Sequence, residues 1–170
     1  MQLPNIFSEN GKNLNVVVET PAGSCAKYNY DGQTGSFKLK KILPQGLLFP
    51  FHFGFVPHTL AEDGDPLDVL VLMDGPAWPG CIIECRPVGV LIALQTVRNK
   101  PMHNDRIIAV PDASRKFKKI KSISDFEPYL IEEVINFLVS YTRLENKKFT
   151  VTSKRGPEKA MTLIKQSSTP

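Results

Sequence analysis

A chain of 170 residues with 42% apolar and 22% charged side chains can bury one core without disulfide staples, which excludes a disordered or fibrous protein. Its formal charge of +4 leans toward acidic or phosphorylated partners, and Cys25, Cys81 and Cys85 form no disulfide framework, as expected in a reducing compartment such as the cytoplasm. No apolar run is long enough to cross a bilayer as a helix, and the first residues lack the charged start and apolar stretch of a secretion signal.

The stretch NVVVE (15–19) is β-branched and is stopped by Pro21 and Gly23, so it predicts a strand that ends on an acid. AKYNY and SFKLKKI flank DGQTG, a loop with two glycines, which predicts a hairpin. LPQGLLFPFHFGFVPH (43–58) carries prolines and glycines that oppose a regular helix or a central strand and predicts an irregular, aromatic wrap. VLVLM (69–73) reads as a buried strand, CIIECRPVGVLIAL (81–94) as one bent strand or two, and RIIAVP (106–111) as another. From 125 to about 146, Leu130, Val134, Phe137, Leu138, Tyr141 and Leu144 recur at helical spacing with Pro128 in the first turn. KFTVT closes the β pattern, and Pro157 starts a second helix in GPEKAMTLIKQ. Short bent strands followed by helices predict a mainly β, α+β domain over 1–170 with loose ends: a small antiparallel barrel or sheet with helices outside.

Within this pattern AEDGDPLDVLVLM (61–73) crowds Asp63, Asp65 and Asp68 against the edge of the core. Two carboxylates about 6 Å apart repel by roughly 3 kcal/mol at an effective dielectric near 20, so three held together call for a positive charge. Gly64 permits a sharp turn and Pro66 fixes the chain, and short oxygen ligands on a rigid turn suit Mg²⁺ completed by water and phosphate. The spacing also fits a plain acidic surface turn with Asp63 in an Asx-turn, and it does not match a calcium EF-hand loop.

The cluster DGDPLDVLV, preceded by FPFHFGFVPHTL and followed by PGCIIECRPVGVL, resembles the family I soluble inorganic pyrophosphatases. VVVETPAGSCAKYNYD, RIIAVP and FLVSYTRLE extend the resemblance, in the family's order, from about Val16 to Leu144. It implies a five-stranded OB-like barrel with helices packed outside, a homo-oligomer, and Mg²⁺-dependent hydrolysis of pyrophosphate or a related small phosphoanhydride. It further implies that Asp63, Asp65, Asp68 and Glu19 serve the metal ions, with Asp65 also the base toward the attacking water. Lys27, Lys41, Arg106 and Tyr141 would hold phosphate.

The chain departs from the family's pattern at Asn29, Gln95 and Asn104, where acids are expected, at Phe49 and Phe53, where hydroxyls are lost, and at Thr142, where a lysine is lost. Lys41 and Arg106 stand for an arginine and a lysine. Asp105 lies one residue from Asn104 but replaces its acid only if the backbone bulges, because neighbours on a strand face opposite ways. Fewer anions hold fewer dications, which implies an enzyme with reduced or altered activity. Two alternatives are a non-catalytic phosphate or nucleotide binder on this scaffold and an OB-like nucleic-acid module. Acids beside the phenylalanine-rich wrap would repel a nucleic-acid backbone and argue against the last. RKFKKIKS (115–122) reads as a solvated face, Cys81 and Cys85 as buried small hydrophobes, and Trp78 as a plug on a turn.

Overall fold

The structure, a computed structural model, describes residues 2–98 and 100–169. In chain order its strands are β1 (Leu14–Thr20), β2 (Ala26–Asp31), β3 (Ser36–Ile42), β4 (His52–Phe55), β5 (Asp68–Val71), β6 (Ile82–Val97), β7 (Lys100–His103) and β8 (Arg106–Pro111). Helix α1 (Pro128–Arg143), strand β9 (Lys148–Arg155) and helix α2 (Pro157–Gln166) complete the fold.

Strands β1, β4, β5, β8 and β6 pair in that order, and β6 returns to β1, so five strands close into a ring. Only the β5–β8 contact among these is parallel. The 16 residues of β6 allow this closure, because its first part pairs with β1, its middle with β8, and its far end with β9 and β7. A bulge between Pro87 and Gly89 bends the strand, so the alternative of two strands is resolved as one. Strands β2 and β3 form the expected hairpin as a separate two-stranded sheet.

The continuous apolar runs follow from burial on both faces. Val69, Val71, Ile107 and Ala109 point into one core with Ala160 and Ile164 of α2. Leu70, Leu72, Ile108 and Val110 point into another with Val134, Leu138 and Tyr141 of α1. Period-two alternation thus divides each strand between two helices, and both faces need apolar residues.

Several expectations are corrected. The proline-rich wrap contains β4, an interior strand between β1 and β5, because Pro50 and Pro57 flank it rather than interrupt it. Gly54 permits the tight pairing: a Cβ there would lie 2.3 Å from the Val17 carbonyl oxygen. Gly54→Ala is therefore expected to push β1 and β4 apart at a cost of about 1–3 kcal/mol, read as a lower urea midpoint. An unchanged midpoint would contradict the close approach.

Helix α1 begins at Pro128 rather than 125 because Ser122 and Asp125 cap a short 3-10 turn over Ile123–Asp125. Glu127 is then extended, as a residue before proline prefers. The helix ends at Arg143, and Leu144 is exposed instead of joining the apolar stripe. Strand β7, which the sequence reading does not predict, lies at the edge of the sheet, where Pro101 is tolerated. Trp78 is 67% exposed and plugs nothing. Cys85 is buried, whereas Cys81 is only partly covered. In the basic run Phe117 and Ile120 pack against the core while the lysines stay in solvent.

Candidate active site

The parallel register sets the site. Val69 lies opposite Ile107, so the residues one step earlier, Asp68 and Arg106, enter their strands side by side. Both share the parity of Leu70 and Ile108 and therefore face α1. Arg106 Nη1 lies 2.7 Å from Asp68 Oδ2, with the side chains only 7% and 22% exposed. The guanidinium also donates to the Asn104 carbonyl at 3.3 Å, the Asp105 carbonyl at 3.1 Å and the Asn104 side-chain oxygen, and it stacks near Phe53 and Phe149. Asp105 has the opposite parity: its Oδ1 accepts from the Ala93 amide at 2.8 Å, and it lines a different cavity. No bulge turns it inward, so it does not replace Asn104.

The turn before β5 brings in the other two aspartates. Gly64 adopts φ +88°, Ala61 N–H donates to the Asp65 carbonyl at 2.8 Å, and Asp65 N–H donates to Asp63 Oδ1 at 3.2 Å. The Asx-turn at Asp63 is therefore real, and it coexists with a place in the cleft. Burial pushes the Asp63 carboxyl above its ordinary range.

On the opposite wall, Lys27 and Lys41 are cross-strand neighbours in the β2–β3 hairpin, an arrangement that costs energy unless each finds a partner. Lys27 lies over the rings of Phe53 and Tyr141 at 5.0 and 5.5 Å. Lys41 lies 4.0 Å over Tyr141 and bonds Glu145 at 2.5 Å. Burial pulls the Lys27 ammonium down, against the Asp68 and Glu19 charges that favour its protonated form. Glu19, at the end of β1, accepts from the Tyr30 amide at 2.6 Å. Burial carries its carboxyl up to about 7, opposed by that hydrogen bond and by Lys27 and reinforced by the charges of Asp68 and Asp65.

Helix α1 and the turn after it supply the third wall: Leu138, Tyr141 and Thr142 lie at i, i+3 and i+4 on the helix, and Glu145 lies two residues past its end at Arg143. Tyr141 is both a core residue, packed on Phe49 and Phe137, and a cleft residue whose hydroxyl donates to Glu145 at 3.5 Å. The Thr142 hydroxyl turns back to the Leu138 carbonyl at 2.7 Å. Sequence reasoning missed Glu145 and Lys147, which bond each other at 2.9 Å in the cleft. Glu145 was discoverable as the residue four beyond Tyr141. Lys147 was not, because it follows Asn146, whose φ of +57° turns the chain back after the helix. Burial would raise the Glu145 carboxyl, yet hydrogen bonds from Lys41 and Lys147 hold it near 2.

These walls enclose a cleft of 260 Å³ lined by Asp63, Asp65, Asp68, Lys27, Arg106 and Tyr141, among others. A recess of 100 Å³ adjoins it, lined by Glu19 and Asn29, with Lys27, Asp65 and Asp68 shared between the two spaces. Gln95 and Asn104 line the main cleft as neutral amides. Every predicted site residue except Glu19 and Lys41 lines the main cleft; Glu19 lines the recess, and Lys41 reaches the cleft residues Glu145 and Tyr141.

Among the described residues no three His, Cys, Asp or Glu side chains are already gathered as a cage for a metal ion. The donor chemistry nonetheless fits a hard dication. The anionic groups around the recess are carboxylates, and the Asn29 side-chain oxygen beside them is buried without a hydrogen-bond partner among the described residues.

Carboxylates interleaved with fixed cations around so small a space suit a compact polyanion, and their oxygens suit a hard metal ion. A family model described as inorganic pyrophosphatase matches residues 16–169. The inorganic pyrophosphatase of Nostoc sp. is 35% identical over 91% of this chain and 89% of its own length. That of Halalkalibacterium halodurans is 36% identical over 90% and 91%. Among solved structures, the inorganic pyrophosphatase from Thermus thermophilus matches with a TM-score of 0.87 at 32% identity, covering 98% of this chain and 94% of that one. The chain belongs to the inorganic pyrophosphatase family.

Proposed function

We propose that this protein hydrolyses inorganic pyrophosphate to two phosphates in the cleft between the Asp63–Asp68 turn, the β2–β3 hairpin and the end of α1. The observation that carries this reading is the meeting of Asp63, Asp65, Asp68, Lys27, Arg106 and Tyr141 around one space in a chain of this family. Asp63, Asp65, Asp68 and Glu19 would hold Mg²⁺, with Asn29 supplying a neutral oxygen. Bound Mg²⁺ would polarise the phosphoryl oxygens and make an attacking water more acidic.

The protein's own groups do the rest. Lys27, Lys41 and Lys147 offer ammonium donors to the phosphate oxygens, and Arg106 offers its Nε–H, which is buried and has no acceptor among the described residues. Asp65, exposed at the mouth, accepts a proton from water as its oxygen attacks one phosphorus. The bond from that phosphorus to the bridging oxygen breaks, and the bridging oxygen leaves with the second phosphate. Phe53 and Tyr141 wall the cleft with apolar surface, which strengthens the charge interactions inside it.

The test is phosphate release from pyrophosphate by purified protein with Mg²⁺, followed with and without chelator. Turnover that the chelator abolishes is expected, and release no faster than in buffer would overturn the proposal.

A further inference from the structure

We propose that the Arg106 guanidinium is a built-in counter-cation for Asp68, filling the electrostatic place of one metal ion, so that the protein engages its substrate with fewer ions than its carboxylates alone would recruit. This deepens the metal-dependent reading above and rests on it.

The contact is fixed by the fold rather than by a free rotamer. Parallel pairing of β5 and β8 sets the two residues side by side, on the face toward α1. The guanidinium is held from below by the carbonyls of Asn104 and Asp105 and by the Asn104 side chain, and from the sides by the rings of Phe53 and Phe149. Arginine does not lose its proton in such a site, so the charge beside Asp68 is permanent. Near it the cleft wall carries Gln95 and Asn104, both buried and neutral, instead of further anions. An ion approaching Asp68 therefore meets a carboxylate already bonded to a cation. It must either displace a side chain held at several points or accept repulsion at close range. Asp65 differs: it is exposed, with no cation bonded to its carboxylate among the described residues.

The proposal makes a prediction of unusual sign, since removing a cleft residue should strengthen metal binding. Mn²⁺ binding in the absence of substrate is measured by calorimetry and by electron paramagnetic resonance on wild type, Arg106→Gln and Arg106→Lys. Arg106→Gln is expected to bind Mn²⁺ about tenfold more tightly or to take up an additional ion. Arg106→Lys, which keeps the charge, should stay close to wild type. Thermal melts provide a second readout, in which Arg106→Gln is less stable than wild type without metal and gains more from saturating Mn²⁺.

If Arg106→Gln does not fold, Asp68→Asn supplies the test. With Arg106 already neutralising Asp68, this change should weaken Mn²⁺ binding much less than Asp65→Asn does. Equal or weaker Mn²⁺ binding in folded Arg106→Gln, or equal losses in Asp68→Asn and Asp65→Asn, would overturn the proposal while leaving the metal-dependent reading in place. No Mn²⁺ binding by any form would overturn both.

Discussion

Asp65→Asn is expected to lower phosphate release from pyrophosphate by about a hundredfold or more while leaving the fold intact. Asparagine keeps the size and the turn but cannot take a proton from water and offers a cation a neutral oxygen in place of a carboxylate. Losing one group aimed at a developing charge commonly costs about 10²–10³ in rate, or about 3–4 kcal/mol of barrier. The fold should not respond, because the Asp65 bonds that shape the turn come from its backbone: the carbonyl accepts from Ala61 and the amide donates to Asp63. Its carboxylate is exposed at the mouth of the cleft. An exposed substitution of this kind changes stability by about 0.5 kcal/mol or less. Initial rates and unfolding midpoints, measured on the same preparation, separate the two effects. A variant that keeps a tenth of the wild-type rate would remove Asp65 from the role of base.

The second large effect is on stability. Without metal, the protein should lose about 3 kcal/mol from Glu19 alone as pH rises from 5 to 8. The Glu19 carboxyl moves from an ordinary 4.5 to about 7 in the folded chain, chiefly because it is buried, 7% exposed. A carboxyl whose folded value is raised binds its proton more tightly when folded. Its contribution is complete below about 4.5 and disappears as pH climbs through 7. Urea unfolding in chelator at pH 5 and pH 8 measures the difference, and Glu19→Gln, which cannot ionise, should flatten the profile by that amount. Glu145 has the opposite sign, since its carboxyl is held near 2 and its contribution fades only as pH falls below the ordinary 4.5 toward that value. It leaves the window from 5 to 8 undisturbed. Equal slopes for wild type and Glu19→Gln would show that Glu19 is not strained by burial.

Local patterns made much of this site readable in advance. The turn with its three aspartates is specified within six residues by Gly64 and Pro66, and the stripe of α1 by helical spacing, so both are visible in one dimension. Parity alone separates Asp105 from the cleft once RIIAVP is taken as a strand. The hidden features are those decided by chain segments distant in sequence. No local signal indicates that β5 and β8 run parallel in the register that joins Asp68 to Arg106. Strand β4 was masked by flanking prolines, and its place is secured by Gly54 against the β1 backbone. Lys147 enters the cleft because one asparagine turns the chain in the left-handed region, which composition does not announce. Trp78 was expected to fill space and instead faces solvent and joins neither core, while its neighbour Ala77 is the buried residue of that turn.

Strand β6 links all of these parts, for it hydrogen-bonds in turn to β1, β8, β9 and β7. Its backbone amides can reach solvent deuterium only when several neighbours release at once, so they should exchange last in the molecule. The ring should therefore open as one cooperative unit with the wall bearing Gln95, whereas the β2–β3 hairpin shares no ladder with it and is tied to it by side chains, Glu19 to the Tyr30 amide and Lys41 to Glu145.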